Sequence, residues 1–172
     1  IIGFDIETGD KTLEVSVEGY SVHPSSQSPD GSYWIQGNSN YNNPSNPQIT
    51  DMHNNLGCYD LLNNTYKAQK TGDLMLSKVV HSSAANSAYG IARRSGIESV
   101  IEFQIDPFAS SRTIAEEKDG YYILAIAIDE KTGLLAYSYA GGAKGIKIVD
   151  IETGALKKNI SLNQEFATLD FG

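Results

Sequence analysis

The sequence predicts an all-β fold assembled from repeated four-stranded antiparallel sheets. The pentapeptide Asp-Ile-Glu-Thr-Gly occurs at Asp5–Gly9 and again at Asp150–Gly154, each time between two short alternating segments. Period-2 alternation rich in β-branched and aromatic residues is typical of strands. No stretch sustains the i, i+3, i+4, i+7 pattern of an amphipathic helix. A strand, a tight acidic turn and a second strand are therefore expected near both ends of the chain.

Two further copies of this hairpin become visible when the sequence is aligned on the acidic turn residue. Asp60 follows an apolar strand and precedes an Asn-Asn turn, and Gln104 takes the same position after another apolar strand. Asn tolerates the left-handed backbone conformation almost as well as Gly does, so the replacement is reasonable. The anchors Asp5, Asp60, Gln104 and Asp150 are separated by 55, 44 and 46 residues. Anchor turns are expected at 5–9, 60–64, 104–108 and 150–154.

A second hairpin is expected between consecutive anchors. Tyr121–Ile128 alternates, and Leu134–Tyr139 resumes the alternation after a glycine-containing turn. An earlier counterpart turns at Ser28-Pro29-Asp30-Gly31. Each repeat then holds four strands, and its length matches the blades of β-propellers, about 40–50 residues each. The prediction is a β-propeller, with residues 1–172 as a single domain or a segment of one.

The turn motifs resemble those of the WD40-like and YVTN (lactonase-like) β-propeller repeats. In that group an SPDG turn commonly separates the first two strands of a blade, and D-x-x-T-G separates the last two. Here Ser28–Gly31, Asp5–Gly9 and Asp150–Gly154 carry the resemblance, which covers essentially the whole chain. The chain departs from strict WD40 repeats, because no Gly-His or Trp-Asp dipeptide appears. It departs from quinoprotein repeats too, because no Trp closes the strand after either D-x-x-T-G copy.

Strand counting predicts about four blades' worth of sheet. The first residues read as the third strand of a blade, three full units follow, and Glu165–Gly172 is expected to open another blade. Most propellers have more blades, and ring closure protects exposed sheet edges. We therefore expect part of a larger ring of about six to eight blades. Flanking residues or a second chain would complete it.

The turn residues are expected to have architectural roles. An aspartate at the start of a tight turn accepts hydrogen bonds from backbone amides of that turn, and a glycine supplies the positive φ that closes the hairpin. These roles are assigned to Asp5, Gly9, Asp30, Gly31, Asp60, Asp150 and Gly154.

The same pentapeptide also resembles a catalytic motif. Residues 4–8 are similar to the first motif of DnaQ-like 3′–5′ exonucleases, in which Asp-x-Glu on one strand binds two catalytic metals. Such enzymes need further acidic motifs and helices packed on a mixed sheet, and no helical segment of that kind is predicted here. Repetition explains the second copy at Asp150, whereas an active site does not, so the turn interpretation is preferred.

Composition argues against several function classes. The formal net charge is −8, and nonspecific nucleic-acid binding needs clustered Lys and Arg, so no nucleic-acid partner is expected. No run of about 18 apolar residues exists, so no membrane span is expected. Cys58 is the only cysteine, which excludes an intrachain disulfide, and a buried structural thiol is expected.

Histidines and glycosylation triplets add two further expectations. His23, His53 and His81 are 30 and 28 residues apart, which does not follow the blade period, so we expect neither a metal nor a cofactor. The triplets Asn63-Asn64-Thr65 and Asn159-Ile160-Ser161 fit the N-glycosylation pattern. They favour an extracellular or periplasmic location over a cytoplasmic one.

The segment 38–56 is the one part of the chain that the repeat does not require, and we expect an inserted loop there. It is polar, contains proline and is long for a blade loop. Long loops on a rigid frame often carry binding function, and Tyr41 and His53 are the candidate binding residues. The expected function is a non-catalytic propeller scaffold that binds a protein partner through blade loops. The alternatives are a propeller enzyme of lactonase or oxidoreductase type, with its site in the channel, and the exonuclease.

Overall fold

Fourteen strands account for the regular structure of the residues that the structure describes. The computed structural model describes residues 2–14, 22–28, 31–38, 54–63, 65–72, 75–82, 86–105 and 109–171. These residues contain strands and turns, and none of them belongs to a helix that could cross a membrane. The all-β prediction is therefore confirmed.

The strands form four antiparallel sheets in which sequence neighbours pair side by side. The N-terminal pair contains β1 (Ile2–Phe4) and β2 (Lys11–Glu14). The first sheet contains β3 (Val22–Gln27), β4 (Tyr33–Asn38), β5 (Asn54–Asp60) and β6 (Thr65–Gly72). The second sheet contains β7 (Met75–His81), β8 (Ser87–Arg94), β9 (Ile97–Gln104) and β10 (Ala109–Glu116). The third sheet contains β11 (Tyr122–Asp129), β12 (Leu134–Ala140), β13 (Gly145–Asp150) and β14 (Leu156–Ser161).

The antiparallel order gives each sheet two distinct ends. We call the end that holds the turns after the first and third strands the anchor end, and the opposite end the loop end.

The turn between β8 and β9, at the loop end of the second sheet, shows how a two-residue turn joins neighbouring strands. Its two residues, Ser95 and Gly96, have φ values of 50° and 87°. Two successive positive-φ residues give a backbone twist that matches the twist of the flanking strands.

The internal repeat is visible in one backbone hydrogen bond that recurs in all three four-stranded sheets. In each sheet the residue after the anchor donates its N–H to the carbonyl that precedes the second strand. The three bonds are Leu61 to Ser32 at 2.8 Å, Ile105 to Asn86 at 3.0 Å and Ile151 to Gly133 at 2.9 Å. The third strand is therefore held to the second beyond the end of the regular ladder.

Two buried clusters lie on opposite faces of the second sheet. The cluster shared with the first sheet contains Ile35, Cys58, Val79, Ala88, Ala92, Phe103 and Ile105. The cluster shared with the third sheet contains Tyr89, Ile91, Val100, Ile114, Ile123, Ile126, Leu135, Tyr137, Tyr139 and Val149. Successive side chains of a strand face opposite sides, which places Ala88 and Tyr89 in different clusters. The three sheets are therefore stacked face to face. Burying one large apolar side chain contributes about 1.5–3 kcal/mol, so the two clusters stabilise this stacking.

Two buried glutamates of the second sheet bond to the third sheet. Glu98 accepts the backbone N–H of Ile123 at 2.5 Å, and burial raises the pKa of the Glu98 carboxyl. Glu117 accepts the Tyr137 hydroxyl at 2.8 Å and also the Lys147 ammonium. Burial and this contact with Glu117 raise the pKa of Tyr137. Because a buried carboxylate without partners is strongly unfavourable, these bonds fix how the two sheets meet.

The inserted loop is shorter than the predicted segment 38–56. Asn38 is the last residue of β4 and lies opposite Asn55 in β5, while Asn54 lies opposite Gly72 in β6. The prediction was wrong at both ends because a ladder pairs backbone groups, which polar Asn residues supply as well as apolar ones do. The remaining segment, 39–53, lies outside the described residues.

The C-terminal segment does not form the predicted strand. Residues 162–171 follow β14 without pairing in a ladder. The carbonyl of Phe166 accepts the Ser138 hydroxyl at 2.6 Å, and the carbonyl of Ala167 accepts the Lys78 ammonium. Side chains of the third and second sheets therefore occupy carbonyls that a strand would offer to a neighbouring strand.

Candidate binding cleft between two sheets

An open cleft of about 420 Å³ lies between the second and third sheets at the anchor end. Its walls come from β8, β9 and β10 on one side and from the β11–β12 and β13–β14 turns on the other. The charged side chains on its lining are those of Glu102, Arg112, Glu130, Asp150 and Glu152. Four acidic residues and one arginine therefore line the cleft, which gives its lining a net negative charge.

Arg112 connects the two walls of the cleft. It projects from β10, and its Nε donates to the carboxylate of Glu102 at 2.7 Å in the neighbouring strand. Its Nη2 donates to the carbonyl of Ile151 at 2.6 Å, and its Nη1 donates to the carbonyl of Glu152. One planar guanidinium thus binds a carboxylate of its own sheet and two carbonyls of the next sheet, a fork geometry that Lys cannot reproduce.

Tyr89 forms the floor of the cleft and is 3% exposed. Burial, followed by the negative charge of Glu102, raises the pKa of Tyr89 to about 12. The phenol therefore stays protonated at neutral pH. Glu102 also accepts the Ser87 hydroxyl at 3.0 Å, so the buried side of the cleft is a connected hydrogen-bond network.

The anchor turn at Asp150 forms one rim of the cleft. Asp150 Oδ1 accepts the backbone N–H of Thr153 at 2.9 Å and the Thr153 hydroxyl at 2.8 Å. Asp150 Oδ2 lies 3.2 Å from the ammonium of Lys157. The Thr153 backbone and hydroxyl bonds, followed by Lys157, lower the pKa of Asp150 to about 2. Gly154 closes the turn with a φ of 71°.

Two of the other predicted anchor turns have related hydrogen bonds, while residues 106–108 of the turn 104–108 lie outside the described residues. Asp5 Oδ1 accepts the backbone N–H groups of Thr8 and Glu7, each at 2.8 Å, and these bonds lower the pKa of Asp5. Gly9 has a φ of 75°. Asp60 Oδ1 accepts the N–H of Asn63 at 2.9 Å, and its Oδ2 accepts the side-chain amide of the same residue at 2.8 Å. Asn63 thus takes the capping position that threonine holds in the other two turns.

These placements do not fit the exonuclease alternative. Asp5 and Glu7 lie in the turn between β1 and β2 rather than on a strand. The carboxylate of Asp5 is directed at the backbone of its own turn, as is that of Asp150. Over the ranges that the structure covers, no cluster of three or more His, Cys, Asp or Glu side chains could hold a metal ion.

Three of the predicted residues lie outside the described part of the chain. Tyr41 and His53 belong to the segment 39–53, and Asp30 precedes Gly31 in the β3–β4 turn. Gly31 itself has a φ of 74°. Among the site and turn residues predicted from the sequence, Asp150 is therefore the one that lines the cleft.

Sequence reasoning missed the residues that build the cleft, namely Tyr89, Glu102 and Arg112. One usable signal was the pairing of Glu102 with Arg112 on expected neighbouring strands, since opposite charges across a ladder form cross-strand pairs. The contact of Arg112 with the carbonyls of Ile151 and Glu152 had no such signal, because carbonyls are present at every residue.

Comparison with known proteins extends the description of the fold. No family model and no curated protein matches the sequence. Hydrazine synthase of Kuenenia stuttgartiensis is similar in structure, with a TM-score of 0.70 and 18% identity over 94% of this chain and 42% of that one. A chain of the nidogen/laminin complex gives a TM-score of 0.73 and 11% identity over 99% of this chain and 60% of that one. The β-propeller domain of the Trilobed protease from Pyrococcus furiosus gives a TM-score of 0.60 and 12% identity over 82% of this chain and 42% of that one.

These similarities define the class of fold. At 11% to 18% identity they concern architecture alone. The stacked four-stranded antiparallel sheets are blades of a β-propeller, as predicted. The chain spans about half the length of the solved structures that it matches, between 42% and 60%. It therefore has the structure of a partial propeller, while the number of blades in a complete ring stays a prediction.

Proposed function

We propose that this chain is a non-catalytic β-propeller module, with repeats of the WD40-like or YVTN type, that binds a protein partner through the turns and loops at the ends of its blades. The observation that carries the proposal is the open acidic cleft between the second and third sheets. Its position between blade turns leaves it accessible from the anchor end.

The chemistry of the cleft suits a Lys or Arg side chain of the partner. Four carboxylates against one guanidinium attract a cation, and Arg112 already donates to Glu102 and to two carbonyls. The aliphatic stem of a long basic side chain can pack on apolar surface while its charged head meets carboxylates. The buried phenol of Tyr89 and the side chain of Ile151 supply apolar surface in the same cleft.

The turn residues of the cleft support binding rather than covalent chemistry. The carboxylate of Asp150 is held by its own turn, and that of Glu102 is held by Ser87 and Arg112. Tyr89 keeps its proton at neutral pH, because its pKa is about 12. These groups are arranged to keep a fixed shape and charge, which favours recognition.

The segment 39–53 is a second proposed binding element. It leaves β4 after Asn38 and enters β5 at Asn54, so its two ends lie at the loop end, opposite the cleft. We propose that Tyr41 and His53 contact a partner there. Alanine substitution of each residue should then weaken binding of that partner and leave cleft-dependent binding unchanged.

Peptide binding tests the cleft directly. Fluorescence anisotropy with Lys- and Arg-containing peptides should detect binding that weakens with salt and with acetylation of the lysines. The double change of Glu130→Gln and Glu152→Gln should reduce affinity by about tenfold. The matched control Glu116→Gln, an exposed glutamate at the loop end, should leave affinity unchanged. Equal binding by all three proteins would contradict the proposal.

The enzyme alternative, with a site of lactonase or oxidoreductase type in the channel, makes a different prediction. It requires a stoichiometric metal or cofactor in the purified protein, lost when one histidine such as His81 becomes alanine. Metal analysis of the wild-type and His81→Ala proteins, together with an activity screen, separates the two functions.

A further inference from the structure

The N-terminal pair, β1 and β2, presents an exposed apolar face. The equivalent face of the third sheet is covered by the second sheet. Phe4 precedes the anchor Asp5 as Val149 precedes Asp150, but Phe4 is 60% exposed and Val149 is 2% exposed. Ile6 follows the anchor and is 99% exposed, whereas its equivalent, Ile151, packs against the cluster between the second and third sheets. The equivalent positions are therefore exposed in one copy and covered in the other.

The contacts at the turn 150–154 show which chemical groups would fit the exposed face of the N-terminal pair. β10, the outer strand of the second sheet, lies against the turn 150–154. Arg112 donates to the carbonyls of Ile151 and Glu152, and the carbonyl of Ile114 approaches Gly154 so closely that an added Cβ would lie 2.7 Å from it. A fitting occupant is therefore an outer strand with a basic residue at the position of Arg112.

The outer strand of the third sheet has this property. In the second sheet Arg112 lies opposite Glu102, two residues before the anchor Gln104. In the third sheet Lys158 lies opposite Ile148, two residues before the anchor Asp150. Lys158 of β14 thus occupies the register position of Arg112.

Lys158 also faces the required side of its sheet. Asn159 accepts the Tyr139 hydroxyl at 3.0 Å, and Tyr139 belongs to the cluster shared with the second sheet. Because successive side chains of a strand alternate, Lys158 faces away from the second sheet. Arg112 likewise faces forward, from the second sheet to the third. The outward face of β14 therefore presents its cation as β10 presents Arg112.

Charge is complementary between these two faces. Asp5, Glu7 and Asp10 are exposed at the turn of the N-terminal pair. The outward face of β14 exposes Lys158, whereas Leu156 pairs with Val149 and lies on the face toward the second sheet. Such complementarity steers association and fixes its register.

The C-terminal segment leaves the outer part of the third sheet available. Phe166 accepts the Ser138 hydroxyl from β12, a central strand, and Ser138 is 1% exposed. Glu165 lies 3.1 Å from Lys144 in the β12–β13 turn. The segment thus covers the central strand at Ser138, whereas Lys158 on β14 remains exposed.

We propose that the N-terminal pair of one molecule docks on β14 of a second copy of this chain, in a head-to-tail contact that repeats the packing between the second and third sheets. Lys158 of one copy then donates to the carbonyls of the turn 5–9 in the other, and Phe4 and Ile6 become buried. A head-to-tail contact closes into a ring when its rotation permits. This contact uses surfaces separate from the binding cleft.

Native mass tests the self-association. Light scattering after size-exclusion chromatography, over a range of protein concentrations, should show a concentration-dependent dimer or closed ring. Lys158→Glu should raise the dissociation constant by roughly tenfold or more, and adding Glu7→Lys should restore part of the loss. The control Lys131→Glu, at an exposed site in the β11–β12 turn, should leave the mass unchanged, as should the Glu130→Gln and Glu152→Gln changes in the cleft. A monomer at all concentrations would overturn the proposal.

Cross-linking identifies which surfaces meet. A protein carrying Glu7→Cys and Lys157→Cys, which keeps Lys158, should give an intermolecular product with a short bis-maleimide, while the native Cys58 is buried. Each single variant should give far less product. An intramolecular link would show that the chain's own two ends meet, and no link would show that another polypeptide or solvent covers the face. Either result would overturn docking of a second copy.

Discussion

The two copies of Asp-Ile-Glu-Thr-Gly share several internal hydrogen bonds and have different surroundings. In both, the aspartate accepts the backbone N–H of the threonine three residues later, at 2.8 Å for Asp5 and 2.9 Å for Asp150. The carbonyls of the second copy are bound by Arg112 of the preceding sheet, whereas the first copy is exposed. Local sequence therefore determines the turn, and the neighbouring sheet determines its burial and its tolerance to substitution.

Glycine substitution should show the largest difference between the copies. Gly9→Ala in dilute protein should cost about 1–2 kcal/mol, because alanine must adopt a left-handed conformation. Gly154→Ala carries the same strain and also overlaps the carbonyl of Ile114, so its cost should reach about 2–5 kcal/mol. Urea unfolding monitored by tryptophan fluorescence measures both. Equal costs would mean that the contact with Ile114 adds nothing.

Removal of Arg112 or Lys158, each of which lies opposite the residue two positions before an anchor, should give an intermediate difference. Arg112→Ala should cost about 1–2 kcal/mol, since it breaks charge-assisted bonds and removes the cation beside the mostly buried Glu102. Lys158→Ala should stay within about 0.5 kcal/mol in monomeric protein, because this side chain is exposed. Arg112→Lys serves as the matched control and should recover only part of the loss. A similar cost for Arg112→Ala and Lys158→Ala would show that Arg112 does not hold the turn.

The acid dependence of stability should show the smallest difference. The folded pKa of Asp150 is about 2, below its ordinary value of 3.8, so its contribution is present above about pH 4 and is lost as the pH falls through about 2. The pKa of Asp5 is shifted in the same direction by hydrogen bonds of its own turn, without a lysine contact. Asp150→Asn should therefore flatten the acid loss of stability more than Asp5→Asn does. Unfolding midpoints measured from neutral pH to pH 2 test this order, which a steeper effect of Asp5→Asn would reverse.

The sequence predicted the strands and turns well because their signals are local. Alternation identified β11 and β12, and an aspartate followed by glycine or asparagine marked the anchor turns near Asp5, Asp60 and Asp150. The strand ends at Asn38 and Asn54 were missed, because backbone pairing extends through polar residues that resemble a turn. The predicted last strand was wrong because a strand forms only beside a partner, and an alternating pattern does not reveal whether one is present.

The cleft could not be predicted from the sequence to the same extent. Its network joins Ser87, Glu102 and Arg112 to a turn about 40 residues later in the chain, so its formation depends on how two sheets stack. The same holds for Glu117, which meets Lys147 across the sheet boundary. A sequence pattern indicates that an ionisable side chain is present, whereas the stacking of the sheets decides which residue it binds.

The buried glutamates affect how this protein could be divided into modules. A cut between the second and third sheets would leave Glu98 and Glu117 facing water without Ile123, Tyr137 and Lys147. A fragment that ends at residue 116 avoids the second glutamate but still exposes the first. A blade that is transplanted or duplicated therefore needs a new neighbour that supplies donors to both glutamates, because each carboxylate would otherwise be buried without a partner.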